Sequence, residues 1–537
     1  MTGEARDMPV ELVARWRDLG LWQDISLAEA MARGAYEHPD ALLHIHSARG
    51  SSEATLAEAH AAGRRLAGAL HGLGLRAGDV IAMQLPNCLE NAILFQAAAA
   101  IGCVILPIVH IFGPAELGQV LGDSRAKALV MPDRWRNIDF LDRLRRLPEL
   151  PHLAHRILIG EAAPPGSIAW GELVGSDPPS VDVDPNAPAI LLYTSGTTAA
   201  PKGAQYSANS FIAELRARAP NEGRPPCRLS PWPSGHVAGT LGVFGHAVLG
   251  QPMVLMDAWD AEAAAELIER FAVAQSSGTP FHLAGLMEAA ARDGRDLSSL
   301  EQFIIGATTV PPSVVQASEA AGIRCCRSYG STEMPTFSQC LPDDPLDKRL
   351  NSDGRLNPGC EARIVDDAGR DLPPGSEGEL AVRGAERFLG YTDPELDRSS
   401  FLPDGWFLTG DIARIDTDGF LAITDRKKDI IIRGGENISS REVEELLLRV
   451  PGVREAAAIG MPDRRMGERV CAVLLVEDGA APTLAAIGAA FQEMGVARQK
   501  APEKIVILPD LPRTPTGKVQ KAELRRQLAQ MFAAATE

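Results

Sequence analysis

Positive charge is in short supply in this sequence. Across 537 residues, 53 lysines and arginines stand against 70 aspartates and glutamates, a formal net charge of −17. Nucleic-acid binding wants a basic surface to meet phosphate, so a nucleic-acid partner is not expected. A single nucleotide needs only a few local donors and stays allowed. The eight cysteines contain no C-x-x-C spacing, and Cys325-Cys326 is the one vicinal pair. Neither a zinc site nor a disulfide framework follows from that usage, which fits a reducing compartment. Residues 1–12 carry acids and no apolar h-region, so no secretory signal is expected. The end, Ala535-Thr536-Glu537, matches no address or lipidation signal. Residues 91–109 lack charge, but Gln96, Gly102 and Pro107 interrupt them. A membrane-spanning helix needs about 20 continuous apolar residues, so this stretch reads as a buried αβ unit. No membrane span is expected, and the chain reads as cytoplasmic. No internal repeat or low-complexity tract occurs.

The chain is too long for one hydrophobic core, so two or more domains are expected. Residues 55–74 show helical spacing of Leu56, Ala59, Leu66 and Leu70. A strand at 80–85, a helix at 89–100, and strands at 104–106 and 126–131 follow. Such alternation predicts α/β layers with a largely parallel sheet. Residues 161–190, rich in Pro, Gly, Ser and Asp, read as a surface connection that ends in a buried strand at 189–193. Further αβ units fill 253–329. Shorter strands and denser turns over 350–424 predict a small antiparallel subdomain. The charged run Asp425-Arg426-Lys427-Lys428-Asp429 then separates two apolar strands and marks a domain boundary. The expected fold is therefore α/β. It has a large N-terminal domain over 1–427, with layered α/β subdomains and the small β subdomain, and a small α+β domain over 428–537.

The strongest chemical signal is Tyr193-Thr194-Ser195-Gly196-Thr197-Thr198-Ala199-Ala200-Pro201-Lys202-Gly203. A buried strand empties into hydroxyls and glycine and is closed by a lysine. Hydroxyl and backbone N–H donors wrap phosphate oxygens, small residues allow close approach, and Lys202 adds charge. A plain polar turn favours the same residues. A Walker loop would need Gly-Lys-Ser/Thr, whereas Lys202 lies between Pro201 and Gly203. Gly72-Leu73-Gly74 follows a helix and does not complete the dinucleotide spacing.

This loop resembles the signature of the adenylate-forming superfamily: acyl-CoA synthetases, peptide-synthetase adenylation domains and luciferases. The family pattern has glycine where Ala199 stands; alanine stiffens the loop but leaves its donors in place. Four further segments resemble the family's motifs in order. The resemblance implies that in Tyr329-Gly330-Ser331-Thr332-Glu333 the tyrosine stacks on adenine, Thr332 contacts phosphate and Glu333 holds Mg2+. In Trp406-Phe407-Leu408-Thr409-Gly410-Asp411, it implies that Asp411 binds both ribose hydroxyls, joined by Arg426. The resemblance also implies that Lys428 is the hinge between domains. Gly434-Gly435-Glu436-Asn437 resembles the loop along which a pantetheine arm passes, and Lys518, in Pro512-Arg513-Thr514-Pro515-Thr516-Gly517-Lys518, matches the catalytic lysine. Attack of a carboxylate on an anionic phosphate needs a cation touching both partners, and a lysine on a Pro/Gly turn supplies one.

The implied substrates and cofactors are ATP, Mg2+ and coenzyme A, with a small carboxylic acid as the other partner. A homodimer is left open. Pro231-Trp232-Pro233-Ser234-Gly235-His236 occupies the family's acyl-site segment, with His236 at the position that approaches the acid's carboxylate. Gly306, Ala307 and Thr308 are counted with the nucleotide-binding positions and line the opposite wall. The small neighbours Gly235, Ala238 and Gly239 suggest a wide apolar pocket for a ring or a branched chain. Residues 236–260 most resemble cyclohexanecarboxylate-type and medium-chain acyl-CoA ligases. An amino-acid-activating domain would need an acid near 232–236, and none is there. An aryl-acid ligase that loads a separate carrier protein shares the same adenylation half and stays open. A non-catalytic nucleotide sensor would have no need of Glu333, Asp411 and Lys518 together.

Overall fold

The structure is a computed structural model and describes residues 8–48, 50–160, 163–194, 201–217, 225–306, 310–433, 436–463, 465–513 and 519–534. These residues form two compact units. The first comprises Met1–Thr194, Pro201–Glu361 and Arg383–Phe407; the second comprises Ala362–Val382 and Leu408–Glu537. Packing thus divides the chain differently from the boundary expected at 427/428.

Among the described residues, the first unit contains two large sheets. In one, Arg324–Tyr329, Gln302–Ile305, Gln275–Gly278, Arg228–Ser230, Met253–Met256 and Leu42–His46 run parallel in that spatial order. Antiparallel strands extend both edges. In the other, Pro188–Thr194, Val104–Pro107, Val80–Met83, Ala128–Pro132 and His155–Ile159 are parallel neighbours. Central strands such as Val104–Pro107 and Ala128–Pro132 are buried along their whole length. That explains their continuous Val, Ile and Leu runs in place of polar alternation.

The helices follow from local signals. Thr55 and Glu58 make a reciprocal capping box that starts Leu56–Gly72. Leu89–Ala100 and Val237–Leu249 are mostly apolar and largely buried, and Phe244 packs edge-on against Phe95 and Phe211 at 5.3 and 5.0 Å. A Cβ on Gly63 would lie 2.4 Å from the Cβ of Gln96, so only glycine lets those two helices approach so closely.

Two expectations need refinement. The surface connection over 161–190 carries the strand Ile168–Ala169, which adds to the sheet edge beside His155–Ile159. The stretch 350–424 does hold antiparallel strands, but Gly390–Tyr391 pairs with Lys202–Ser207 of a large sheet and Arg355–Leu356 with Ser338–Gln339. The buried rings of Phe388, Tyr391 and Phe401 draw that part into the first unit.

Strand Trp406–Ile415 carries the chain into the second unit, where it pairs with Leu421–Arg426. Further on, the hairpin Val453–Asp463/Gly467–Val476 centres a mixed sheet. Its side chains alternate: Ala458, Ala472 and Leu474 pack with Val443, Leu447 and Phe491, while Ala457, Val473 and Leu475 pack with Leu524 and Leu528. Period-two alternation thus clothes both faces with helices. Among the described residues no helix is long and apolar enough to cross a membrane.

Replacing Phe244 by alanine removes the ring shared by three elements. It is expected to cost about 3–5 kcal/mol, read as a lower denaturant midpoint for unfolding.

Candidate active site

Parallel pairing sends the carboxyl ends of several strands to one edge, where binding loops gather in open α/β sheets. Arg228–Ser230 leads to Trp232 and His236, Gln302–Ile305 to Gly306, and Arg324–Tyr329 to Gly330-Ser331-Thr332-Glu333. Ser195, Gly196, Thr197, Thr198, Ala307, Thr308, Gly434, Gly435 and Lys518 lie outside the described residues. The remaining expected positions fall within one unit or the other.

In the first unit, Thr194 and Lys202 face each other as the last register pair of an antiparallel hairpin. The amide of Thr392 donates to the carbonyl of Gly203 at 2.8 Å, and a Cβ at Gly203 would stand 2.9 Å from Thr392 Oγ1. Burial pushes the Tyr193 phenol up to about 12, which keeps it neutral beneath the hairpin.

The turn after Tyr329 is closed by Ser331 N–H donating to the Met334 carbonyl at 2.8 Å and Glu333 N–H donating to Ser331 Oγ at 3.1 Å. Gly330 is obligatory here, because a Cβ would fall 1.9 Å from the carbonyl oxygen of Pro335. Two tyrosines outside every sequence motif fix this turn. Tyr391 donates its hydroxyl to Glu333 Oε1 at 2.7 Å, and Tyr206 donates to the Thr332 carbonyl. Burial foremost, with Glu333 next, raises the Tyr391 phenol far above its ordinary value, so it remains a donor. Lys202 Nζ sits 5.4 Å from the centre of the same ring, within cation–π range. Tyr391 therefore joins the two expected nucleotide motifs, hairpin and turn. Only a contact between distant stretches reveals it; Gly390-Tyr391 carries no local signal.

His236 occupies the N-cap of Val237–Leu249, where its Nδ1 accepts the Ala238 N–H at 3.2 Å. An accepting Nδ1 places the proton of the neutral ring on Nε2, which becomes a donor. The ring stacks on Trp232 with centroids 5.2 Å apart and planes 17° from parallel. Trp232 is fixed in turn, its Nε1 donating to Ser277 Oγ at 3.1 Å and its carbonyl accepting from Asn87 Nδ2 at 2.9 Å. Gly235 is pressed against the backbone of Val109, where a Cβ would lie 2.3 Å from the nitrogen. Gly306 leaves room beside Ser328 Oγ, 2.8 Å from where its Cβ would be.

In the second unit, Asp411 and Arg426 are register partners on adjacent strands, with Arg426 Nε 2.9 Å from Asp411 Oδ1. Asp411 is buried and its amide donates to Thr409 Oγ1 at 3.1 Å. Lys427 reaches Glu379 at 2.8 Å and Asp367 at 2.9 Å, and Arg525 reaches Asp429 at 3.0 Å. Lys428 lies in the short 3-10 turn Lys427–Asp429; burial, and then Arg426, lower its pKa. The charged run is therefore a paired, built segment and not a solvated loop.

Comparison with known proteins adds to this geometry. A family model described as AMP-binding enzyme matches residues 31–392, and one described as AMP-binding enzyme C-terminal domain matches 442–518. The chain is 36% identical to a medium-chain fatty-acid–CoA ligase of Escherichia coli K12, covering 96% of this chain and 92% of that one. It is 33% identical to a 2-hydroxy-7-methoxy-5-methyl-1-naphthoate–CoA ligase of Streptomyces carzinostaticus, covering 97% of each. Among solved structures, the anthranilate CoA ligase AuaEII in complex with anthranoyl-AMP superposes with a TM-score of 0.83 at 25% identity. That match covers 95% of this chain and 98% of the other.

Tyr391→Phe deletes one hydrogen bond to a carboxylate and keeps the ring. It is expected to lower stability by about 1.5–3 kcal/mol, the range for a bond to a charged group, while Tyr391→Ala, which also empties the space beneath Lys202, lowers it by roughly a further 2 kcal/mol. Urea unfolding of both variants checks the difference.

Proposed function

We propose, for a chain that belongs to the AMP-binding enzymes and is an AMP-forming acid–CoA ligase, a division of roles among its residues and a class of acid. The observation that carries the division is Tyr391, which holds Glu333 by a hydrogen bond while Lys202 lies over its ring. One side chain thereby ties a phosphate-type hairpin to an acidic turn, the two charges a metal-bound triphosphate needs.

In the first half-reaction the acid's carboxylate oxygen attacks the α-phosphorus of ATP. A bond forms between them, the bond to the bridging oxygen breaks, and pyrophosphate leaves. The hairpin from Thr194 through Ser195, Gly196, Thr197 and Thr198 to Lys202 wraps the phosphates. Tyr329 stacks on adenine beside Gly330 and Ser331, Thr332 contacts phosphate, and Gly306, Ala307 and Thr308 complete the nucleotide side. Asp411, oriented by Arg426, accepts hydrogen bonds from the ribose hydroxyls. Lys518 balances the charge that gathers at the α-phosphate. Glu333 suits a magnesium site: it is a single carboxylate, and among the described residues no group of three or more His, Cys, Asp or Glu forms a cage. Magnesium takes few protein ligands and shares the rest with phosphate and water, and when bound it neutralises the leaving pyrophosphate.

In the second half-reaction the thiol of CoA attacks the acyl carbonyl and AMP departs. Residues 428–537 turn about Lys428, Lys518 withdraws, and Gly434-Gly435 lies along the pantetheine arm. Such a turn lets one site serve two steps. Eight unpaired cysteines suit a reducing cytoplasm.

The acid is cyclic, aromatic, branched or of medium chain length. His236 offers an Nε2–H donor to its carboxyl group, and the stacked Trp232 with the small Ala238 supplies an apolar wall, whereas Gly235 and Gly239 are small because the backbones of Val109 and Pro233 press against them. The names of the relatives, a naphthoate ligase and a medium-chain ligase, support the same range.

Pyrophosphate release should be fast with cyclohexanecarboxylate, benzoate or octanoate and slow with acetate; preference for acetate would overturn the acid class. Lys518→Ala is expected to cut acid-dependent pyrophosphate release by about 100-fold or more, yet to keep thioester formation from supplied acyl-AMP. Equal loss in both halves would refute the swinging-lysine role.

A further inference from the structure

The loop that carries Lys518 springs from a tightly bonded root. Arg513 and Val519 are bridged antiparallel on either side of residues 514–518. Gln520 N–H donates to the Pro512 carbonyl at 2.7 Å, and its side-chain amide donates to the Arg513 carbonyl at 3.2 Å. The helix Lys521–Ala534 begins immediately afterwards.

Its first residue breaks a rule. A cation in the first turn of a helix opposes the helix dipole, and Lys521 is also largely buried, with 15% of its side chain exposed. Both costs are met by specific partners. Lys521 Nζ stands 2.7 Å from Glu444 Oε1, itself 16% exposed, and donates to Ser440 Oγ at 2.8 Å. Glu444 Oε1 also accepts the Ala458 N–H at 2.8 Å. Ser440, having accepted from Lys521, donates its own proton to Asp425 Oδ1 at 3.2 Å. One helical turn on, Arg525 pairs with Asp429 at 3.0 Å. Of these groups only Asp425 precedes Lys428; Ser440, Glu444, Lys521, Arg525 and Asp429 all follow it.

We propose that Lys521 is the positioning residue for Lys518: its buried pair with Glu444 and Ser440 pins the root of the lysine loop to helix Ser440–Leu447. The anchored residue follows Lys518 by only three positions, and because the partners follow Lys428 the anchor turns with it. Stability alone would be a poor reason for this arrangement, since a buried ion pair is often no better than apolar groups of the same volume. Orientation is a sufficient one, because a displacement of 1 Å at a reacting centre costs roughly 100-fold in rate.

The inference rests on Lys518 acting in adenylation, so Lys518→Ala is run beside it. The expected result for Lys521→Met is a fall of roughly 10- to 100-fold in acid-dependent pyrophosphate release, with thioester formation from supplied acyl-AMP unchanged. Lys521→Arg, which keeps the charge and can still reach Glu444, should recover most of the loss. If Lys521→Met does not fold, Glu444→Gln retains the side-chain shape and carries the same comparison. Equal losses in both half-reactions, or undiminished pyrophosphate release while Lys518→Ala has lost it, would overturn the proposal. Undiminished release in Lys518→Ala would instead remove the role of Lys518 on which it stands.

Discussion

Parallel pairing constrains everything else in the first unit. Strands that run the same way must finish on the same edge, and the chain after each one starts from there. Trp232 with His236, then Gly306, then Tyr329 belong to three separate αβ units, yet each group follows a strand of one sheet or ends it. The buried Leu229, Phe303, Ile305, Cys325 and Cys326 of those strands fix the sheet, and the sheet fixes where the polar residues emerge. Chemistry in such a fold is a property of strand ends, which is why it can be carried by short loops.

Within that edge, rigidity comes from hydrogen bonds that look incidental along the chain. Asn87 reaches the carbonyls of Trp232 and Met256, both at 2.9 Å, and accepts from Ser234. Ser277 Oγ accepts from Trp232 and from Arg228, each at 3.1 Å. These bonds hold an aromatic wall against a histidine that caps a buried helix, so the wall has little freedom to rearrange. The protein's overall acidity is no obstacle to anionic substrates, because what matters is the local arrangement of donors.

Much of the architecture is legible in the sequence because its signals are local. The capping box at Thr55 and Glu58, the unbroken apolar strands and the hydroxyl-rich hairpin each declare themselves within a dozen residues. The charges of 425–429 are visible as a run, but their partners Glu379, Asp367 and Arg525 are not, since an ion pair across a fold leaves no mark in spacing. Tyr391 is hidden for the same reason: it lies in a two-residue edge strand whose partner is Lys202–Ser207. The density of turns over 350–424 suggests a single subdomain, whereas tertiary packing divides that stretch, drawing its buried aromatic rings to the larger unit.

That edge strand has a consequence for biosynthesis. The pair formed by Asp411 and Arg426 closes within one hairpin, so it can assemble as soon as the segment leaves the ribosome. The link from Lys202 to Tyr391 closes only after nearly two hundred further residues have been made, and long-range pairings form late. Until then Lys202–Ser207 presents an uncovered β-edge, a template for unwanted association. The hairpin that ends at Lys202 thus waits, during synthesis, for a partner still to be translated.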